Sequence, residues 1–145
     1  MVTRIEALFP KLQPENYRIT SPPTALYNCI AWAAGDDRRW WWPERNLENG
    51  YWPEAVPFAL TLEAFMALFA LQGYAPCPLE DEEPGFERVA IFATADGTPT
   101  HAARQLANGR WTSKLGKGDD IEHDLRDLEG EVYGVVVRML KRPRG

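Results

Sequence analysis

The sequence predicts an α+β fold: N-terminal helices packed on a mostly antiparallel β-sheet of about four strands. Three observations lead there. An apolar run from Cys29 to Ala34 is bracketed by Asn28, a favoured helix N-cap, and Gly35, a natural residue just past a helix end. A second run, Leu60 to Gly73, has apolar residues at helical spacing. From Arg88 onward the period changes to that of strands, and Asn108-Gly109 is a strong hairpin signal. Helices followed by strands is the α+β order. A chain of 145 residues fits one domain, divided into an arm (1–23), a helical part with a tryptophan-rich loop (24–75) and a sheet part (88–140).

Residues 1–23 carry Pro10, Pro14, Pro22 and Pro23, which predict an extended arm with a short helix at Thr3 to Phe9. After the cysteine helix, four of the six tryptophans, Trp40, Trp41, Trp42 and Trp52, fall in a loop-rich segment. They suit either a ligand groove, with flat apolar faces and a polar edge, or the plug of a core short of regular structure. In Leu60–Gly73, Thr61 serves as cap and Leu62, Phe65, Met66 and Phe69 form the buried stripe. Ala75 to Glu87 reads as a loop whose acidic cluster, Glu80 to Glu83, is a solvated surface, and Cys77 has no base near it in sequence. Arg88–Thr94, Thr100–Leu106, Arg110–Leu115 and Val132–Leu140 read as strands. Between the last two, Asp119 or Asp120 can cap a short helix with Ile121, Leu125 and Leu128 on one face, which leaves His123 facing solvent or, less simply, entering the site.

With 45% apolar and 26% charged residues the chain has the composition of a folded, soluble protein. A net charge of −5 argues against nucleic-acid binding, which needs a basic face. No run approaches a membrane span, and Met1 to Tyr17 lacks the pattern of a secretory signal, so a cytoplasmic protein without membrane partners is expected. There the two cysteines are expected to be free. No finger-like or His-x-x-x-His spacing is present, and neither a metal nor another cofactor is expected.

Cys29 at the first position of a helix faces the positive end of the helix dipole, which favours the nucleophilic thiolate. His101, opening a strand after the turn Asp96-Gly97-Thr98-Pro99, is the candidate base that would take its proton. Asn28-Cys29-Ile30-Ala31-Trp32-Ala33, then His101-Ala102, then Arg110 to Gly116 have the order of the papain-like cysteine hydrolases. Transglutaminase-like and bacteriocin-processing peptidases share that order, as do the NlpC-type and CHAP amidases more loosely. The phrases Asn28–Ala33 and Thr100–Gly116 also resemble a family of small uncharacterised bacterial proteins, which implies no activity. The papain-like resemblance implies a cysteine hydrolase or acyltransferase of the peptidase, amidase or deamidase type, acting on an amide or thioester of a peptide or protein substrate through a Cys29 thiolate and a His101 base. The alternative is a catalytically inactive binding module of that fold, using the tryptophan groove.

The superfamily orients its histidine with Asn, Asp, His or Gln; here Ser113 is the nearest substitute. Its side depends on the hairpin. A two-residue turn pairs Ala107 with Arg110 and points Ser113 away from His101; a three-residue loop with Gly109 left-handed pairs Leu106 with Arg110 and returns Ser113 to its face. The expected oxyanion donor is the Cys29 N–H, aided by the Asn28 side chain, where that is not spent on capping, or by a residue from Ser21 to Thr24.

Overall fold

The computed structural model describes residues 3–144. Its elements in chain order are α1 (Arg4–Leu8), β1 (Arg18–Ser21), α2 (Cys29–Ala33), β2 (Trp40–Trp41), β3 (Gly50–Tyr51), α3 (Leu62–Ala70), β4 (Ala75–Cys77), β5 (Phe86–Ala93), β6 (Pro99–Gln105), β7 (Trp111–Lys114), β8 (Asp120–His123), a 3-10 turn (Leu125–Leu128) and β9 (Val135–Pro143). β2 and β3 form a small parallel pair; the other seven strands form one antiparallel sheet in the order β1-β8-β7-β6-β5-β9-β4.

The expected α+β, papain-like architecture of helices on about four strands is therefore corrected to a mostly β one, seven strands wide with short helices. Three strands account for the difference. The proline-rich arm contributes β1, and the stretch read as a loop after Gly73 contributes β4. The expected helix near Asp120 is instead β8 followed by the 3-10 turn. Ile121, Leu125 and Leu128 have helical spacing, but Ile121 and His123 also alternate with Asp120 and Glu122, and the open edge of β7 supplies the backbone partners that make the extended form win.

Both faces of the sheet are covered, which explains the unbroken apolar run Val89–Ala93. Val89, Ile91, Ala102 and Leu140 face α2 and α3, while Ala90, Phe92, Ala103, Trp111, Ile121 and Met139 face Phe9, Leu12 and Leu128. Each large side chain buried this way contributes about 1.5–3 kcal/mol. α3 buries Ala64, Phe65, Leu68 and Phe69; Leu62 and Met66 of the expected stripe lie half-buried at its margin. Thr61 caps it by accepting from the Ala64 N–H at 3.1 Å, and Thr3 caps α1 in a box with Glu6.

The β6–β7 hairpin takes the three-residue loop. The Leu106 N–H donates to the Arg110 carbonyl at 2.7 Å, Arg104 pairs with Thr112, and Gly109 sits at φ +87°, where a side chain would be strained. Ser113 and His101 consequently share a face.

Candidate active site

α2 begins at Cys29 because Asn28 ends the preceding chain in an extended conformation and its Oδ1 accepts from the Ala31 N–H at 3.2 Å. The same oxygen accepts from the Trp41 N–H, and Nδ2 donates to the Trp41 carbonyl at 2.8 Å. Asn28 is thus committed to capping α2 and clamping β2 to it, which leaves one side-chain N–H of the positioning role expected of it.

Cys29 is buried and free. The helix lies over β6 and β7, whose ladder consists of Arg104/Thr112 and Gln105/Trp111. Continuing that register would set Ala102 opposite Lys114, but the pairing ends before that point, and Ala102 packs in the core with Cys29. The thiol therefore sits in a split between two strands. Three backbone N–H groups, of Ala102, Ile30 and Cys29 itself, favour its anion, as does the nearby Lys114 ammonium. Burial outweighs them all and pushes the thiol up to about 11. Burial of the helix start thus works against the thiolate expected there.

His101 reaches the split from the opposite face of the sheet. Ala102 points toward α2, so its neighbour points away, onto Phe92 and Tyr133. No hydrogen bond joins His101 to Cys29 among the described residues; Nδ1 of His101 is buried without a partner. Its other nitrogen, Nε2, is 2.9 Å from Ser113 Oγ, and that hydroxyl is 2.8 Å from Nε2 of His123. His123 Nδ1 in turn lies 2.8 Å from the Asp124 carbonyl.

The proton positions along this chain follow from its far end. A carbonyl only accepts, so Nδ1 of His123 carries the hydrogen. Burial holds His123 down at about 4 and His101 well below the ordinary histidine value, so both rings are neutral at pH 7. Nε2 of His123 is then a bare acceptor, and Ser113 donates to it. The Ser113 oxygen accepts from Nε2–H of His101, and His101 is left with an unprotonated Nδ1. Ser113 thus holds Nε2 of His101 as the middle of a chain that ends in a second histidine.

His123 is the residue sequence reasoning misplaced. It is fully buried on β8, not solvent-facing on a helix, and the available signal was the alternation Ile121-Glu122-His123. Tyr133 and Lys114 carried no such signal. The Tyr133 ring lies flat on His101, with centroids 4.0 Å apart and planes 11° apart, and it also lines the cavity at Cys29. Thr100 and a five-residue turn closed by reciprocal Gly130–Gly134 hydrogen bonds hold it there. Lys114 is fully buried with Nζ donating to the carbonyls of Thr24, Gly116 and Gly118 at 2.8, 2.7 and 2.6 Å, which ties the arm to the end of β7.

A cavity of about 300 Å³ opens over Cys29, lined by Asn28, Trp40, Trp42, Glu44, Thr100, Gly116 and Tyr133. Of the four groove candidates, Trp40 and Trp42 are walls of this cavity. Trp41 is core, donating Nε1–H to Asp36 under Tyr51, and Trp52 packs on Phe65 and lines an adjoining cavity with Trp42. Among the described residues, no group of three or more His, Cys, Asp or Glu side chains comes together to hold a metal ion. Nor is any helix long and apolar enough to cross a membrane.

No match was found among curated proteins or among solved structures. A family model, described as a domain of unknown function (DUF7689), matches residues 18–141, a span that runs from β1 into β9 and includes Cys29, His101, Ser113, His123 and Tyr133. The chain belongs to that family.

Proposed function

We propose that the protein is a cysteine-dependent hydrolase or acyltransferase acting on an amide or thioester, with Cys29 as nucleophile and His101 as base. One observation carries the reading: the chain from Asp124 through His123 and Ser113 fixes His101 as the tautomer whose Nδ1 has a lone pair and no partner, next in sequence to Ala102, which packs in the core with Cys29. A purely structural histidine is ordinarily satisfied at both nitrogens, and an unpaired buried nitrogen costs about 1–3 kcal/mol. Such a cost is retained where the atom has a use.

The chemistry starts from the neutral pair. Substrate entering the cavity brings its carbonyl carbon to the sulfur; the S–H proton passes to Nδ1 of His101 as the C–S bond forms, which requires Sγ and Nδ1 to close to hydrogen-bond distance across the split. The carbonyl oxygen becomes an oxyanion, for which the backbone N–H groups at Cys29 and Ala102 are the candidate donors. The imidazolium then gives its proton to the leaving amine or thiolate as that bond breaks, which leaves a Cys29 acyl thioester. Water or an amine attacks the thioester, loses its proton to Nδ1, and the sulfur departs and recovers that proton. Throughout, Ser113 and His123 keep Nε2–H of His101 donating, so that Nδ1 is the nitrogen that cycles.

Acyl transfer from an activated donor tests the reading without knowledge of the substrate. Incubation with an aryl thioester or p-nitrophenyl acetate, followed by peptide mass spectrometry, is expected to place the acyl group on Cys29, with the rate falling at least about 100-fold in His101→Ala. Acylation of Cys29 at equal rates in both proteins, or of neither, would instead favour the second reading, a binding module that uses the aromatic cavity. The neutral, buried resting thiol is the observation on that side.

A further inference from the structure

We infer that the cavity over Cys29 selects substrates carrying a positive charge close to the reacting carbonyl, with Glu44 as the recognising carboxylate and Trp40 and Trp42 as its aromatic walls. The inference rests on the site assignment above and adds the substrate class.

Glu44 occupies an unusual place. It lines the cavity at Cys29 and also both cavities adjoining it, one of about 850 Å³ beyond Trp40 and one of about 220 Å³ beyond Trp42. Among the residues lining the cavity at the thiol it is the one with a formal charge; the rest are aromatic, amide, hydroxyl or glycine. Several other carboxylates are paired: Asp36 with Arg39, Asp81 with Arg88 and Lys141, Glu87 with Arg142, Glu122 with Arg18 and Arg110, Glu129 with Arg126. Glu44 is in no ion pair among the described residues, and its side chain accepts no hydrogen bond among them. An unpaired carboxylate in a cavity that two tryptophans also line suits an ammonium or guanidinium, by ion pairing and by cation–π attraction together.

The surrounding charges do not cancel it. Arg45, next in sequence, is turned onto the Phe58 ring at 4.6 Å. Lys114, the cation nearest the thiol, is enclosed by three carbonyls and lies near the buried Asp120 carboxylate. Lys117 and Glu48 both line the 850 Å³ cavity and offset one another. A lysine- or arginine-containing peptide, or an acyl chain with a terminal ammonium, fits this charge pattern; an acidic one does not.

Charged thiosulfonate reagents measure the preference at the thiol itself. Rates of Cys29 modification by a trimethylammonium-ethyl and by a sulfonatoethyl methanethiosulfonate are compared by peptide mass spectrometry, with Cys77 in the same molecule as the reference thiol. The wild type is expected to react about tenfold or more faster with the cation at Cys29, relative to Cys77. Glu44→Gln is expected to reduce that ratio to within about threefold of unity, and Glu44→Lys to invert it. Glu44 is exposed, so these variants leave the core intact. An unchanged ratio in Glu44→Gln overturns the inference, and so does failure of both reagents to reach Cys29, since the subsite would then be closed to ligands. A charge preference that depends on Glu44 without any acyl transfer in the earlier experiment would keep this subsite and sink the catalytic reading.

Discussion

At Cys29 and His101 two expectations drawn from residue type meet the effect of burial, and burial wins in both. A thiol at a helix start and a histidine opening a strand are the ingredients of an ion pair, yet both groups are buried, which disfavours the charged form of each. The histidines make this measurable in stability. Unfolded, each takes a proton near pH 6.5; folded, burial holds His123 down at about 4 and His101 well below its ordinary value. Between those values the unfolded chain binds more protons than the folded one, so stability falls as pH drops, by up to about 1.4 kcal/mol per pH unit for each histidine. The buried Asp120 carboxyl, raised by desolvation, acts in the opposite sense at the acid end of the range. Urea denaturation at pH 7.5 and pH 5.0 is expected to show a clear loss at the lower pH, with the slope reduced in His123→Asn. Equal stability at both values would mean that the rings titrate normally and are not held neutral.

The element that completes the site is the turn from Gly130 to Gly134, which sets Tyr133 flat on His101 and against the Cys29 cavity. Gly134 sits at φ +77°, and a Cβ there would fall 2.0 Å from the Ala93 carbonyl oxygen, a backbone atom that cannot yield. Gly134→Ala is therefore expected to cost at least about 2 kcal/mol and to move Tyr133 off the ring, combining a strained conformation with a clash. Urea midpoints and the rate of Cys29 alkylation check the two parts, and the rate is expected to rise as the aromatic wall is displaced. An unaltered midpoint would show that the turn can shift as a unit. The strap was beyond reach from sequence: two glycines four residues apart look like a loop, and only the partner strand β5 reveals that the second has no room for a side chain.

Across the whole molecule, what was readable was local. The cap at Asn28, the cap at Thr61 and the presence of strands at Arg88–Thr94 and Thr100–Leu106 are decided by a few neighbouring residues, and the chain has them, with the strands running Phe86–Ala93 and Pro99–Gln105; the hairpin takes one of the two registers that its loop residues allow. What was not readable depends on pairing between distant segments. β1 exists because β8 offers it an edge, β8 because β7 does, and the helical spacing of Ile121, Leu125 and Leu128 could not compete with that ladder. The same holds for the site. Cys29 and His101 were visible as residue types, whereas their placement at a split in the sheet required the points where β6 and β7 stop pairing. His123, the end of the proton chain, was hidden by the misread element that carries it.

The hydrogen-bonded chain through Ser113 and His123 sets the tautomer of His101, and with two histidines in the protein each ring can be read separately. Long-range proton–nitrogen correlation spectra of ¹⁵N-labelled protein at pH 7 report which nitrogen of each ring bears the hydrogen. The structure requires opposite neutral tautomers, Nε2–H for His101 and Nδ1–H for His123, with neither ring becoming charged before the pH is well below 6.5. Two rings in the same tautomer, or either one titrating near 6.5, would contradict the arrangement on which the proposed base rests.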